Sequence, residues 1–343
     1  MPTAQEISKA PAERLTPTRP TIGRSGLALV KDYASIARPD HWFKNVFMAL
    51  GVLLAFFYYP QLFTWSVLGS IALAVAATCL IASSNYTLNE ILDASRDRLH
   101  PSKRNRPVPS GRIWIPAAYA QWLLLGAAGL GLASLINWLF FWTGLSLLVM
   151  GLVYNVPPIR SKELPYLDVL SESVNNPIRL LLGWFAVTAW ELPPVSLLVA
   201  YWMIGAFFMG AKRLAEYRYI GDPVRAAAYR NSFRYYDENK LLVSLFGYVS
   251  VFGLFSGVFI IRYHLELMLL APLVAGFVCF YMAVALKPDS AAQSPEKLYR
   301  ERGLMLYLAV CVFAFFALMF ADIPALYSLF NVQPSPVNPL WKI

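Results

Sequence analysis

An all-α integral membrane protein, a bundle of nine transmembrane helices, is the fold class the sequence predicts, and three observations carry it. Of 343 residues, 58% are hydrophobic and only 14% are charged, with a mean hydropathy of +0.50. That balance leaves too little polar surface to clothe a water-soluble domain. Apolar stretches long enough to cross about 30 Å of hydrocarbon recur almost end to end. Lys and Arg gather in alternate loops, the mark of a cytoplasmic face.

Residues 1–30 are polar, rich in Pro and Thr, and lack the short apolar core and small-residue cleavage site of a secretory leader; a disordered cytoplasmic tail is expected there. Residues 31–325 read as one helical membrane domain and 326–343 as a short tail on the opposite side. From Leu27 to Asn45, apolar residues at helical spacing lead to Trp42 and Lys44, the pattern of an interfacial helix with Trp42 at headgroup depth. The nine spans follow at 46–63, 67–88, 115–135, 137–154, 167–190, 194–210, 241–261, 265–286 and 303–320. Seven basic residues precede the first span, six lie between spans two and three, two between four and five, seven between six and seven, and four between eight and nine. The amino terminus is therefore expected in the cytoplasm and the carboxyl terminus across the membrane. On the same grounds the net charge of +9 is a positive-inside pattern and not a nucleic-acid footprint. Cys79, Cys279 and Cys311 lie in apolar spans without C-x-x-C spacing and read as packing residues.

The chemistry concentrates at the cytoplasmic ends. At roughly 100° per helical residue, Asn89, Glu90, Asp93 and Asp97 share one face of the second span. Lys103, Arg104 and Arg106 follow at once, in a stretch closed by Pro107, Pro109 and Gly111 that reads as a loop. Hard oxygen donors grouped this way suit Mg2+, which takes one or two carboxylates and completes its shell with substrate phosphate oxygens; the basic residues suit the phosphates. A charged, solvated helix end has the same appearance, and both readings stand at this point. After span four, three prolines break the helix and place Arg160 and Lys162 on a loop. Span five is expected to carry Asp168, Glu172, Asn175 and Arg179 as one polar stripe reaching into the membrane, which needs a cavity or a partner. Span six ends with Lys212, Arg213 and Glu216, where Lys212 and Glu216 form an i, i+4 pair. The loop after it, to Lys240, is long, basic and rich in tyrosine and reads as a lid or an interfacial helix.

These residues resemble the UbiA superfamily of intramembrane prenyltransferases from Ala37 to about Phe320. The family's first motif, N-D-x-x-D-x-x-x-D with R-P-x-x-x-G, is similar to Asn89, Glu90, Asp93, Asp97, Arg106, Pro107 and Gly111, with Glu at the second place. Its second motif is similar to Tyr154, Pro157, Pro158, Arg160, Lys162, Asp168 and Glu172. Three further stretches, Arg38 to Asn45, His100 to Pro107 and Ala211 to Glu216, look most like the decaprenyl-phosphate phosphoribosyltransferase branch, whereas the Pro157 to Lys162 loop and Asn175 to Arg179 look more like other branches.

The resemblance implies an Mg2+-dependent transferase that breaks a carbon–diphosphate bond. Asp93, Asp97, Asp168 and Glu172 would be the catalytic carboxylates, joined by Asn89 and Glu90 as metal ligands. Lys103, Arg104, Arg106, Tyr154, Arg160, Lys162, Asn175 and Arg179, with Asn45, would bind substrate, and Lys44, Lys212 and Arg213 a second anion or the donor's 5-phosphate. The expected reaction moves phosphoribose from phosphoribosyl diphosphate onto a polyprenyl phosphate; the rival is prenyl transfer from a polyprenyl diphosphate to an aromatic or lipid acceptor. A third reading, a transporter of anions or lipid phosphates, fits less well, since paired carboxylates repel an anion unless a metal intervenes. The expected setting is the bacterial cytoplasmic membrane with the site open to the cytoplasm, the partners being a polyprenyl lipid and a diphosphate donor. Homo-oligomerisation stays open.

Overall fold

A computed structural model describes residues 26–98, 103–293, 295–333 and 341–342. Most of the expected amino-terminal tail, and His100 in the basic loop, lie outside these residues. The helices are α1 (Gly26–Ile36), α2 (Phe47–Tyr58), α3 (Trp65–Asp97), α4 (Ile115–Ser134), α5 (Trp138–Asn155), α6 (Leu167–Ser173), α7 (Asn175–Phe185), α8 (Val195–Ile220), α9 (Pro223–Tyr229), α10 (Glu238–Tyr263), α11 (Ala271–Ala285), α12 (Arg302–Met319) and α13 (Pro324–Leu329). A two-residue antiparallel pairing, β1 (Glu191–Leu192) with β2 (Trp341–Lys342), is the one sheet among them. The helix α1 begins at Gly26, inside the stretch expected to be disordered, and the expected carboxyl-terminal tail contains most of α13 and β2.

Among the described residues, eight helical stretches are long and apolar enough to cross a membrane, where nine were expected. The missing one is 167–190, which is not a single helix: α6 stops at Ser173 and α7 starts at Asn175. Pro177 explains the break, because it has no N–H for the Ser173 carbonyl four residues earlier and its ring collides with that carbonyl. The interfacial stretch before α2 is likewise two pieces. The chain turns at Arg38, held at φ 49°, and continues as a 3-10 segment, Pro39–Val46.

The chain divides into two compact units, one holding the described residues up to Lys162 together with Asn175–Trp190, the other Glu163–Val174 and everything from Glu191 on. In the first, α3 packs on α4 and α5, and α7 packs on α2 and α5. Side-chain hydrogen bonds stitch these helices, with Ser84 Oγ donating to Trp122 O at 2.9 Å and Asn85 Nδ2 to Leu147 O at 2.9 Å. In hydrocarbon such bonds replace the missing hydrophobic drive between helices. The indole N–H of Trp42, expected at headgroup depth, donates to Ser83 Oγ at 2.9 Å and ties the 3-10 segment to α3. Helices α2 and α7 touch backbone to backbone. A Cβ on Gly51 would lie 2.0 Å from Leu180 O, and one on Gly183 1.9 Å from Met48 O, so glycine is required at both.

In the second unit α8 packs on α10 and α6. Phe207, Leu214, Phe233, Leu241, Tyr281 and Leu304 form its core. The outward residues of its spans are apolar as well: Phe246, Phe313 and Phe320 are 75, 76 and 79% exposed, the inverse of a soluble helix and the pattern of one facing lipid. Trp138 and Trp142, at the start of α5 in the first unit, are also exposed, as expected of interfacial aromatics. Of the cysteines, Cys79 and Cys311 are buried packing residues, but Cys279 is exposed on α11.

Candidate active site

In the first unit, the carboxyl end of α3 and the loop after α5 supply one charged cluster. Asn89 and Asp93 lie one turn apart on α3, and the loop returns Arg160 and Lys162 to them. Arg160 Nη2 donates to Asp93 Oδ1 at 2.8 Å. The Lys162 ammonium donates to three oxygens at once: Asp93 Oδ1 at 2.7 Å, Asn155 Oδ1 at 2.8 Å and Asn89 Oδ1 at 3.1 Å. Burial pulls the Lys162 amine down to about 8, against the opposing pull of Asp93. The Tyr154 ring lies 5.9 Å from the same nitrogen. Arg160 itself is held at φ 35°, a strained conformation for a residue with a side chain, of the kind that persists where surrounding contacts over-determine it.

The neighbouring acids of α3 are engaged in other ways. Asp97 accepts from Arg106 Nη1 at 2.7 Å, which folds the basic loop back onto the helix end. Glu90 accepts the Val108 N–H at 3.2 Å on Oε1 and faces Arg38 Nη2 at 3.8 Å on Oε2, so it anchors backbone instead of joining Asp93. Lys103 and Arg104 sit on a 3-10 turn, Lys103–Asn105, with Arg104 exposed. Deeper in the unit, Arg179 Nε donates to Asn45 Oδ1 at 3.1 Å, Asn45 Nδ2 to Cys79 Sγ at 3.2 Å, and Arg179 Nη1 to Asn175 O at 3.3 Å. The Lys44 ammonium is 6.0 Å from the Tyr86 ring.

In the second unit the organising group is Arg213, 2% exposed on α8. Its guanidinium reaches Asp168 at 3.2 Å, Glu172 at 3.1 Å and Glu216 at 2.9 Å. Asp168 has no exposed surface, accepts from Arg213, from Ser232 Oγ at 3.2 Å and from Tyr236 O–H at 2.7 Å, and forms an ion pair with Arg230 at 3.3 Å, whose Nε donates to Ser232 Oγ. Burial and the adjacent carboxylate push the Tyr236 phenol well above its ordinary range, so it stays a donor to Asp168. Glu172, by contrast, keeps 30% of its side chain exposed.

The structure therefore groups Asn89, Asp93, Arg160 and Lys162, with Tyr154 beside them, and groups Asp168, Glu172 and Arg213. It corrects two expectations. The continuous polar stripe of span five does not exist as one helix, because Asp168 and Glu172 lie on α6 and Asn175 and Arg179 on α7. The Lys212–Glu216 pair is replaced by Arg213–Glu216 at i, i+3, and Lys212 makes no ion pair among the described residues. Asn155, Arg38, Arg230, Ser232 and Tyr236 are site residues that sequence reasoning missed. Asn155 had one available signal, its place beside Tyr154 and the Pro-Pro pair.

Among the described residues no three His, Cys, Asp or Glu side chains gather closely enough to ligate one metal ion. Oxygens do converge on the Lys162 ammonium, however: one carboxylate and two amides, all hard donors. Such a partial set suits Mg2+ when phosphate oxygens complete the shell, so the residues fit the ion.

The model of the UbiA prenyltransferase family matches residues 45–309. The chain is 30% identical over 195 residues to a decaprenyl-phosphate phosphoribosyltransferase of Mycolicibacterium smegmatis, covering 55% of this chain and 58% of that one. It is 37% identical over 120 residues to a protoheme IX farnesyltransferase of Korarchaeum cryptofilum, covering 35% and 40%. The matched region thus spans about half the length of these curated relatives, or less. Among solved structures, a UbiA homologue from Archaeoglobus fulgidus bound to DMAPP and Mg2+ aligns over 85% of this chain and 100% of its own, with a TM-score of 0.64 at 19% identity, a likeness of fold. With a family match running from the 3-10 segment into α12, the chain belongs to the UbiA prenyltransferase family.

Proposed function

We propose that this protein is an Mg2+-dependent intramembrane transferase that cleaves a diphosphate leaving group, and that its specific reaction is phosphoribosyl transfer from phosphoribosyl diphosphate to a polyprenyl phosphate. The observation that carries the reading is Asp93 holding both Arg160 and Lys162: a carboxylate and two cations at the end of one membrane helix, placed to exchange partners with a diphosphate. Negative charge collects on the diphosphate as its bond to carbon breaks, and preorganised cations in a site shielded from water stabilise that charge most effectively. Arg160, Lys162 and the exposed Arg104 supply such cations, while Arg106 is tied to Asp97. Asn89, Asp93 and Asp97 in the first unit, and separately Asp168 and Glu172 in the second, are the residues that would serve Mg2+, which when bound supplies Lewis-acid stabilisation of the departing diphosphate.

A polyprenyl phosphate is already ionised and needs positioning more than a base. Lys44 and Lys212 suit that task; Arg213 does not, because its guanidinium is spent on three carboxylates. The named relative in Mycolicibacterium supports the phosphoribosyl reading. A second reading, prenyl transfer, is supported by the farnesyltransferase relative. In either case the site is proposed to open to the cytoplasm from the bacterial inner membrane, with the amino terminus on that side and the carboxyl terminus opposite. Incubating the solubilised protein and Mg2+ with labelled phosphoribosyl diphosphate plus decaprenyl phosphate, and separately with labelled polyprenyl diphosphates, decides between them. Lipid-linked phosphoribose is expected; turnover of the prenyl diphosphates alone would overturn the specific reaction.

A further inference from the structure

We propose that Asn89, Asp93 and Asn155 form a divalent-cation site that Lys162 fills in the resting protein, and that entry of the metal and withdrawal of Lys162 are one event. The inference rests on the diphosphate-cleaving reading for its purpose, but its geometry stands alone. Three oxygens from two helices converge within 3.1 Å of a single positive nitrogen. The cradle is built by helix packing, since Asn89 and Asp93 belong to α3 and Asn155 is the last residue of α5. Asn155 is 3% exposed, and its Nδ2 donates to Gly151 O at 2.9 Å, which fixes the amide so that Oδ1 must face the cradle. The tenant comes from elsewhere: Lys162 arrives on the proline-rich loop, on a four-carbon stem whose rotamers can swing the ammonium away.

One nitrogen and one metal ion cannot share these oxygens, since magnesium requires oxygen at about 2.1 Å. When Lys162 leaves, Asp93 keeps Arg160 at 2.8 Å and stays neutralised. The released ammonium can then meet the diphosphate that follows the metal. Lys162 on this account keeps a partly built metal site closed until a divalent ion displaces it, and Asn155 is a metal-positioning residue outside the acidic motif.

The test uses the full chain in detergent without substrate. Mn2+ affinity is measured from the electron paramagnetic resonance signal of the free ion, for wild type, Lys162→Met and the double variant Lys162→Met with Asn155→Leu. Lys162→Met is expected to tighten Mn2+ binding roughly tenfold or more, and Asn155→Leu to reverse the gain. In the wild type, where no variant can misfold, acylation of the Lys162 amine followed by mass spectrometry is expected to rise severalfold when Mg2+ is added. Unchanged acylation, or equal Mn2+ affinity in wild type and Lys162→Met, would mean that metal joins without displacing the lysine and would overturn the proposal. Diphosphate release by the same preparations separates the two readings. Turnover with no lysine displacement removes this inference alone, whereas displacement with no turnover of any diphosphate removes the proposed function and leaves the cradle.

Discussion

Replacing Arg213 by Met removes the one cation that Asp168, Glu172 and Glu216 share, and the cost can be worked from their burial. Losing one partner of a buried ion pair costs about 3–5 kcal/mol, most of it from the charge left behind. Asp168 is wholly buried but keeps Arg230, Ser232 and Tyr236, while Glu172 and Glu216 are 30% and 15% exposed and regain some water. The cost therefore falls near the lower end, about 3 kcal/mol. At about 2–4 °C per kcal/mol for units of this size, the melting temperature should fall by roughly 6–12 °C. Tryptophan fluorescence melts of the detergent-solubilised protein measure it. Arg213→Lys should fall between, because an ammonium cannot present a planar fork to three carboxylates. A melt within about 1 °C of wild type for Arg213→Met would refute the assignment of Arg213 as the centre of this unit's polar network.

Tyr236→Phe deletes the 2.7 Å bond to Asp168 and should destabilise by about 1–2 kcal/mol in the same melts. Gly51→Val places a methyl-bearing Cβ against the Leu180 carbonyl of α7; the yield of monodisperse protein in size-exclusion chromatography should drop severalfold. For Lys162, the folded value near 8 lies below the ordinary 10.5, so burying the ammonium costs stability. That cost is present in full below about pH 8 and is relieved as pH rises from about 8 to about 10.5, so melts should show a rising contribution there that Lys162→Met abolishes. Asp93→Ala separates enzyme from carrier: an anion carrier would bind its anion as well or better, whereas the transferase should lose turnover by orders of magnitude.

Membrane class and the acid-plus-base ends of the helices were legible because both are local properties. Hydropathy and spacing place Asn89, Asp93, Arg160 and Lys162 at helix ends without any knowledge of packing. The break at Val174 was also written locally, in Pro177, but a long apolar run concealed it, since hydropathy does not register a missing N–H. Asn155, Ser232 and Tyr236 were not legible. The latter two meet Asp168 across 64 and 68 residues of chain, and an Asn or Tyr carries no sign of its partner until the backbone is placed. The Lys212–Glu216 expectation failed because helical spacing offers Glu216 two cations, and the buried Arg213 already points toward Asp168 and Glu172.

Mg2+-dependent release of labelled diphosphate by the purified chain, supplied with phosphoribosyl diphosphate and decaprenyl phosphate, is the most direct test that this chain cleaves a diphosphate with Mg2+ and needs each acidic cluster to do so. The wild type should release it only with Mg2+, and Asp93→Asn in the first unit and Glu172→Gln in the second should each slow it by about 100-fold or more. Release at the wild-type rate by either variant would contradict the account.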